Sequence, residues 1–424
     1  MLVQPSKNSL LLILFGVWSF LLICRPQDYV PFIAYIRPAL SLGILTFIVY
    51  SASHKTGNNY SSSLQLNLYT YLIIAMILSI PFSYYRRASL MDFLTYSSVI
   101  LFLFLFYRIV NTLQYLYKLL FAYCVGAAIY AVYILKFGSF MNDRVSFGEM
   151  FDSNDIAYYV ISLLFLNILF VTKNNKNYIR LLACINMAIG VIVVLKTGSR
   201  GGLLALMSVV AYLLFANLRT INFSFILKIV VTMVALFSLQ FISIDSDRYK
   251  TILDLKSDYN ITGEEGRVSI WKIGLRLMST HPFFGIGYNR FPEGVGHDRE
   301  ARGLASAKWH TAHNSLIQVG AETGVVGFIL FSALSINACT IFWGVAKKAK
   351  SEDLAKLGEI AKVGFIGHMI NIMFLSQAYS VYWAFYIALS AVLKSCLDQE
   401  DTASQSSSAG LCKEKLGFAG TVRN

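Results

Sequence analysis

Charge is what this chain has least of. Only 14% of its 424 residues are Asp, Glu, Lys or Arg, while 56% are hydrophobic; an average soluble protein carries roughly 25% charged residues. So little charge on so long a chain excludes an ordinary soluble enzyme and predicts that most of the surface faces lipid. Six cysteines, at 24, 124, 184, 339, 396 and 412, lie far apart with no CxxC pair, which excludes a disulfide framework and a thiolate metal site. A GxSxG elbow, a Walker loop and an HExxH motif are all missing, as is a carboxylate pair of glycosidase type in a convincing local context. No internal repeat is evident. The only low-complexity stretch is Ser404 to Gly410 in a polar tail expected to be disordered. The first apolar run ends Leu21, Leu22, Ile23, Cys24, but Ile23 stands where a lipoprotein cleavage site needs a small residue, so the run reads as a retained signal anchor.

What the chain does have is apolar runs of spanning length. They fall at about 9 to 24, 30 to 50, 67 to 83, 93 to 107, 115 to 135, 155 to 172, 180 to 195, 201 to 218, 223 to 243, 324 to 346, 358 to 376 and 379 to 396. The expected fold is therefore all-α and polytopic, with about 12 transmembrane helices. The second run contains Arg37 and Pro38 and is alternatively interfacial at its start. The 36 Lys and Arg outnumber the 23 Asp and Glu, giving +13, but spans separate the basic residues, so they read as topogenic and not as a nucleic-acid patch. With the amino terminus in the cytoplasm, Lys173, Lys176, Arg180, Arg219, Lys347, Lys348, Lys350 and Lys356 fall inside, as does the tail with Lys413, Lys415 and Arg423. Arg86, Arg87, Lys196 and Arg200 fall outside, against the rule.

Four regions result: spans one to nine over 1–243, an extracytoplasmic loop over 244–312, spans ten to twelve over 313–396, and a cytoplasmic tail over 397–424. The 69-residue loop holds nine of the 23 acidic residues and carries helix signals. Thr262 with Glu265 forms a capping box, Val268, Trp271, Leu275 and Met278 share one face, and Pro282 closes the helix.

Three segments have the residue types for chemistry. In Thr197-Gly198-Ser199-Arg200-Gly201-Gly202 the small residues allow a tight turn and a ligand's approach to backbone N–H groups at a helix start, with Arg200 as a planar cation for phosphate oxygens. The alternative is an interhelical turn with a snorkelling arginine. In Gly266-Arg267-Val268-Ser269-Ile270-Trp271, Arg267 opposes the helix dipole, which points to a ligand; a surface pair with Glu264 or Glu265 is the alternative. In Trp309-His310-Thr311-Ala312-His313-Asn314, His313 sits where the polar loop meets the membrane and can exchange protons near neutral pH. A helix-capping or interfacial histidine is the alternative, and metal ligation lacks acidic or cysteine partners at suitable spacing. Span parity puts all three segments on one face, where two cations and one titratable base make a site for a diphosphate.

In order, Ser199-Arg200-Gly201, Gly266-Arg267 with Trp271, His281-Pro282 with Gly285-Ile286-Gly287, and His313-Asn314 with Glu322, Gly324 and Gly327 resemble the O-antigen ligase and O-antigen polymerase superfamily of bacterial membrane glycosyltransferases. Arg144 followed by Asn154-Asp155 resembles a further feature of that family. The motifs cover roughly 144 to 328. The resemblance implies a GT-C-like fold and transfer of a glycan from undecaprenyl diphosphate at the outer face of the inner membrane, with inversion and without metal or other cofactor. It implies that Arg200 and Arg267 hold the diphosphate, with Arg144 a weaker candidate, that His313 orients or deprotonates the acceptor, and that Asn314 and Glu322 make weaker substrate contacts. The implied partners are the lipid-linked donor, a glycan, lipid A core or glycoprotein acceptor, and the bilayer. A transporter or flippase of a lipid-linked glycan is the other class, but transporters place substrate near the midplane, and these residues lie at one face.

Overall fold

The computed structural model describes residues 9–28, 30–36, 38–53, 63–141, 144–147, 152–171, 175–216, 263, 266–303 and 309–419. The expected span at 223 to 243, the capping box of Thr262 and Glu265, and residues 244–262, 264–265 and 304–308 of the long loop lie outside them. The remaining apolar runs are helical, as a chain in lipid must be to satisfy its own backbone. In order they are α1 (Ser9–Cys24), α2 (Pro31–Ile36), α3 (Pro38–Ser53), α4 (Leu64–Ser79), α5 (Arg86–Ile109), α6 (Leu113–Phe137), α7 (Ser153–Leu164), α8 (Ile168–Val171), α9 (Asn177–Lys196) and α10 (Arg200–Phe215). After the long loop begins come α11 (Arg267–Thr280), α12 (Phe291–Ala301), α13 (Ser315–Lys348), α14 (Glu352–Ile372) and α15 (Val381–Ala419). Among the described residues seven helices have the length and composition to cross a membrane, and three shorter apolar ones stand at α1, α3 and α10. The second run is two helices, the later starting on Pro38, whose missing N–H costs nothing at a helix start.

Helix α14 is 21 residues long but carries Glu352, Asp353, Lys356, Glu359 and Lys362. Glu352 and Asp353 at its start are exposed, but Lys356, Glu359 and Lys362 are covered by protein: α7, α10, α13 and α15 surround the helix, the Lys356 ammonium donates to the Leu169 carbonyl at 3.2 Å, and Lys362 lies near the rings of Tyr212 and Trp343. Beside it α15 buries Trp383, which stacks on Phe331 at 4.4 Å, and Tyr386, whose hydroxyl donates to the Ser162 carbonyl.

A second core belongs to the loop. Ile270, Ile273 and Leu277 of α11 pack with Ile286, Phe291, Val295, Ala312 and Ala321. The buried face of α11 is thus not the one marked by Val268 and Leu275, which are 37% and 50% exposed. Gly274 decides this, because it lets Ile317 and Phe291 close on the helix where a Cβ would meet them at 2.4 and 2.9 Å.

Helix α13 starts nine residues before the expected span, at Ser315, and breaks at Gly324, whose φ is 76°. The break is where the loop docks. Ile286 and Gly287 donate backbone N–H groups to the carbonyls of Ala321 and Glu322, and Val325 donates to Pro282. Gly285 has φ 66°, and a Cβ there would stand 2.3 Å from the Glu322 carbonyl carbon. The glycines of the His281-to-Gly287 motif are therefore a joint between loop and bundle. Gly285→Ala combines about 1–2 kcal/mol of left-handed strain with a backbone clash. It is expected to lower the thermal midpoint in detergent by several degrees, whereas Gly344→Ala, with nothing within 4 Å, leaves it unchanged or raised.

Candidate functional site

Several connections meet at one end of the bundle. Arg144 begins β2 (Arg144–Ser146), which pairs antiparallel with β1 (Ser139–Met141). Its guanidinium donates through Nε to the Thr197 carbonyl at 3.1 Å and through Nη2 to Asn154 Oδ1 at 2.9 Å. Asn154 lies in the first turn of α7, whose cap Asp152 accepts from the N–H groups of Asn154 and Asp155. Arg144 so fixes the turn before α10 against the start of α7.

That turn is as tight as its composition suggests, with Gly198 at φ 58°. Ser199 caps α10 by accepting from the Gly202 N–H at 3.2 Å, and Arg200 is the first helical residue. The other two glycines serve a different purpose from the one expected. A Cβ on Gly201 would stand 3.1 Å from Phe374 Cβ, and one on Gly202 would stand 2.7 Å from Ala157 Cβ. Both admit neighbouring side chains of the bundle.

Phe374 opens the connection between α14 and α15, and this connection is the hub of the end. The Arg267 guanidinium lies over the Phe374 ring, 6.0 Å from its centroid, within cation–π range. Ser376 Oγ accepts from the His313 N–H at 2.9 Å. Gln377 donates through Nε2 to Asp155 Oδ1 at 2.8 Å, and its backbone N–H donates to Ser315 Oγ, whose own hydroxyl donates to the Leu375 carbonyl. The expected spans at 358 to 376 and 379 to 396 leave only residues 377 and 378 between them. The signal available there is the run of Ser376, Gln377, Tyr379 and Ser380 interrupting apolar sequence.

His313 holds φ 47°, a left-handed conformation costing a non-glycine residue about 1–2 kcal/mol. The Ser376 bond on one side and the helix cap on the other keep it there. The cap is Asn314, whose Oδ1 accepts from the N–H groups of Leu316 and Ile317 at 3.0 and 3.1 Å, so the capping alternative belongs to Asn314 and not to His313. Asn314 is 5% exposed, and its acceptor oxygen is spent on the helix. The imidazole Nε2 of His313 stands 3.4 Å from Thr311 Oγ1. Burial first, and the nearby Arg267 guanidinium second, hold its pKa down at about 4. At neutral pH the ring is uncharged and able to accept a proton.

Arg267 follows the cap Gly266 directly at the start of α11, opposing the dipole as the sequence indicates; Glu264 and Glu265 lie outside the described residues. Arg144, Arg200, Arg267 and His313 are thus gathered around the turn before α10 and the connection after α14. Glu322 belongs to a different set of contacts. It is fully buried and accepts from the Phe291 N–H at 3.0 Å and from Gln318 at 3.5 Å, tying α12 to α13. Arg25 is a further cation at this end that the sequence reading passes over. It pairs with Asp28 at 2.5 Å and lies within electrostatic reach of Asp155. Among the described residues no three His, Cys, Asp or Glu side chains gather so as to hold a metal ion.

Planar cations beside an uncharged imidazole suit an anionic leaving group and a hydroxyl nucleophile. Residues 185–332 match the family model described as O-antigen ligase, a stretch that includes Arg200, Arg267, His313, Asn314 and Glu322 but not Arg144. No curated protein matches the chain. Over that stretch, about a third of the chain, the sequence is similar to the O-antigen ligase family.

Proposed function

We propose that the protein transfers or polymerises a glycan carried on undecaprenyl diphosphate at the outer face of the bacterial inner membrane. Both termini lie in the cytoplasm in this reading, and the acceptor is a glycan, a lipid A core or a glycoprotein. The gathering of Arg200, Arg267 and His313 about one connection is the observation that carries it. Arg200 and Arg267 neutralise the diphosphate as the bond from the sugar carbon to the phosphate oxygen breaks. A lipid diphosphate is already a good leaving group, so fixed guanidinium charge can do what a metal does elsewhere. His313 takes the proton from the acceptor hydroxyl as its oxygen bonds the sugar carbon from the opposite face, which inverts that centre, and then returns the proton to solvent. Arg144 acts as a positioning residue, since its Nε holds the turn that bears Arg200 while its Nη2 is anchored on Asn154 of α7.

The test is reconstitution in proteoliposomes with donor and acceptor and no ion gradient. Elongated or ligated glycan is expected. Movement of intact donor across the bilayer without new glycosidic bonds would replace this reading by transport.

A further inference from the structure

One side of the loop carries a row of exposed rings that the transfer site does not use. Tyr84 and Tyr85, in the turn between α4 and α5, come up against His297 of α12, with ring centroids 4.7 and 6.0 Å away. Tyr85 also faces Trp309 at 6.5 Å. All four rings are open: Trp309 is 58% exposed, Tyr84 39% and Tyr85 43%, and the His297 side chain is 42% exposed. The indole is laid down deliberately, because Gly296 leaves room where a Cβ would stand 2.8 Å from Trp309 Nε1.

The row stands on a charged helix, beside a cluster of purely apolar rings. Each ring of the row pairs an apolar face with a polar edge: the tyrosine hydroxyls, the imidazole nitrogens and the indole N–H. Its floor is α12, whose residues Asp298, Arg299 and Glu300 carry charge. The neighbouring Phe82, Phe283 and Phe284 lack polar edges, and Phe82 stacks on Phe284 at 4.2 Å; those rings suit the bilayer interface. Flat faces edged with hydrogen-bonding groups suit a sugar ring, whose C–H face meets the negative π-cloud while its hydroxyls reach the edge. The row also lies within reach of the transfer site. Four residue steps separate Trp309 from His313, so the two backbones are at most about 14 Å apart.

We propose that Tyr84, Tyr85, His297 and Trp309 form a stacking platform for the sugar rings of the acceptor glycan, seating the chain so that its terminal hydroxyl reaches His313. This rests on the transferase reading, but its test does not require turnover. The probe is the oligosaccharide of the host's own surface glycan, released from lipid by mild acid and titrated calorimetrically into the full-length protein in nanodiscs. Saturable binding is expected, weakened at least tenfold in a Tyr85→Ala, Trp309→Ala double variant and weakened less in Trp309→Phe, which keeps a ring. In the transfer assay the double variant should raise the acceptor KM with little change in kcat.

Absence of oligosaccharide binding by the unaltered protein, or equal binding by the double variant, overturns the platform. A nitroxide at position 309 more accessible to oxygen than to a polar relaxant would assign the row to lipid and likewise overturn it. Binding that depends on Tyr85 and Trp309 in a protein that makes no glycosidic bond would uphold the platform and remove the transferase reading instead.

Discussion

Arg267→Ala and Arg200→Ala each reduce transfer in proteoliposomes by about 10²–10³ or more, the scale on which one charge-stabilising donor acts in a transition state, and the double variant falls to background. The donor diphosphate needs planar, charged donors, and Arg267 is additionally braced by the Phe374 ring. Arg267→Lys keeps the charge but not the fork or the stacking, so it should restore only a small fraction of the rate. Unchanged elution and thermal midpoint in detergent separate loss of chemistry from loss of fold. Full activity in either alanine variant removes that residue from the site.

His313→Ala lowers kcat by about 10²–10⁴ while donor binding persists. The pH dependence gives the sharper test. Because burial and Arg267 depress the imidazole pKa to about 4, the ring is already neutral at pH 7 and loses its acceptor capacity only as pH falls through that value. The acid limb of kcat/KM should lie near pH 4 and not near the ordinary histidine value of about 6.5. Bound diphosphate offsets the Arg267 charge, so the limb in kcat should move upward. The residual activity of Arg267→Ala should show the same upward displacement. His313→Gln keeps hydrogen bonding and removes the limb without restoring the rate. Near-normal turnover by His313→Gln at neutral pH would leave the residue a positioning role only.

The cations and the imidazole of this site are legible from sequence because parity alone places Arg200, Arg267 and His313 at one end, whatever the packing between them. What joins them is not. Phe374 and Ser376 fall at the end of an apolar run and Gln377 just after it, and only the fold reveals that the helix has already ended at Ile372 and that this connection lies against the His313 backbone and the start of α7. Glycine motifs mislead in the same way. Gly201 reads as an opening for a ligand and Gly285 only as part of a family motif, but what fills the space at each is the chain's own Phe374 or Glu322, and no local pattern specifies such a partner. The buried face of α11 likewise depends on Gly274, a residue that periodicity of apolar side chains does not count. Asn314 reads as a sugar contact until the helix start behind it is known to be Ser315.

The joint between the loop and the start of α5 has a consequence for synthesis. Ser89 donates to the Tyr288 carbonyl, Tyr84 to the Ile286 carbonyl and Asn289 to Asp92, which also pairs with Arg290. These partners are separated by about 200 residues, so at ribosomal rates of about 5–20 residues per second they emerge roughly 10–40 seconds apart. Throughout that interval Asp92 waits on a spanning helix without the guanidinium that later neutralises it. A chain stalled before residue 290 therefore presents that carboxylate without the guanidinium that pairs with it in the finished fold.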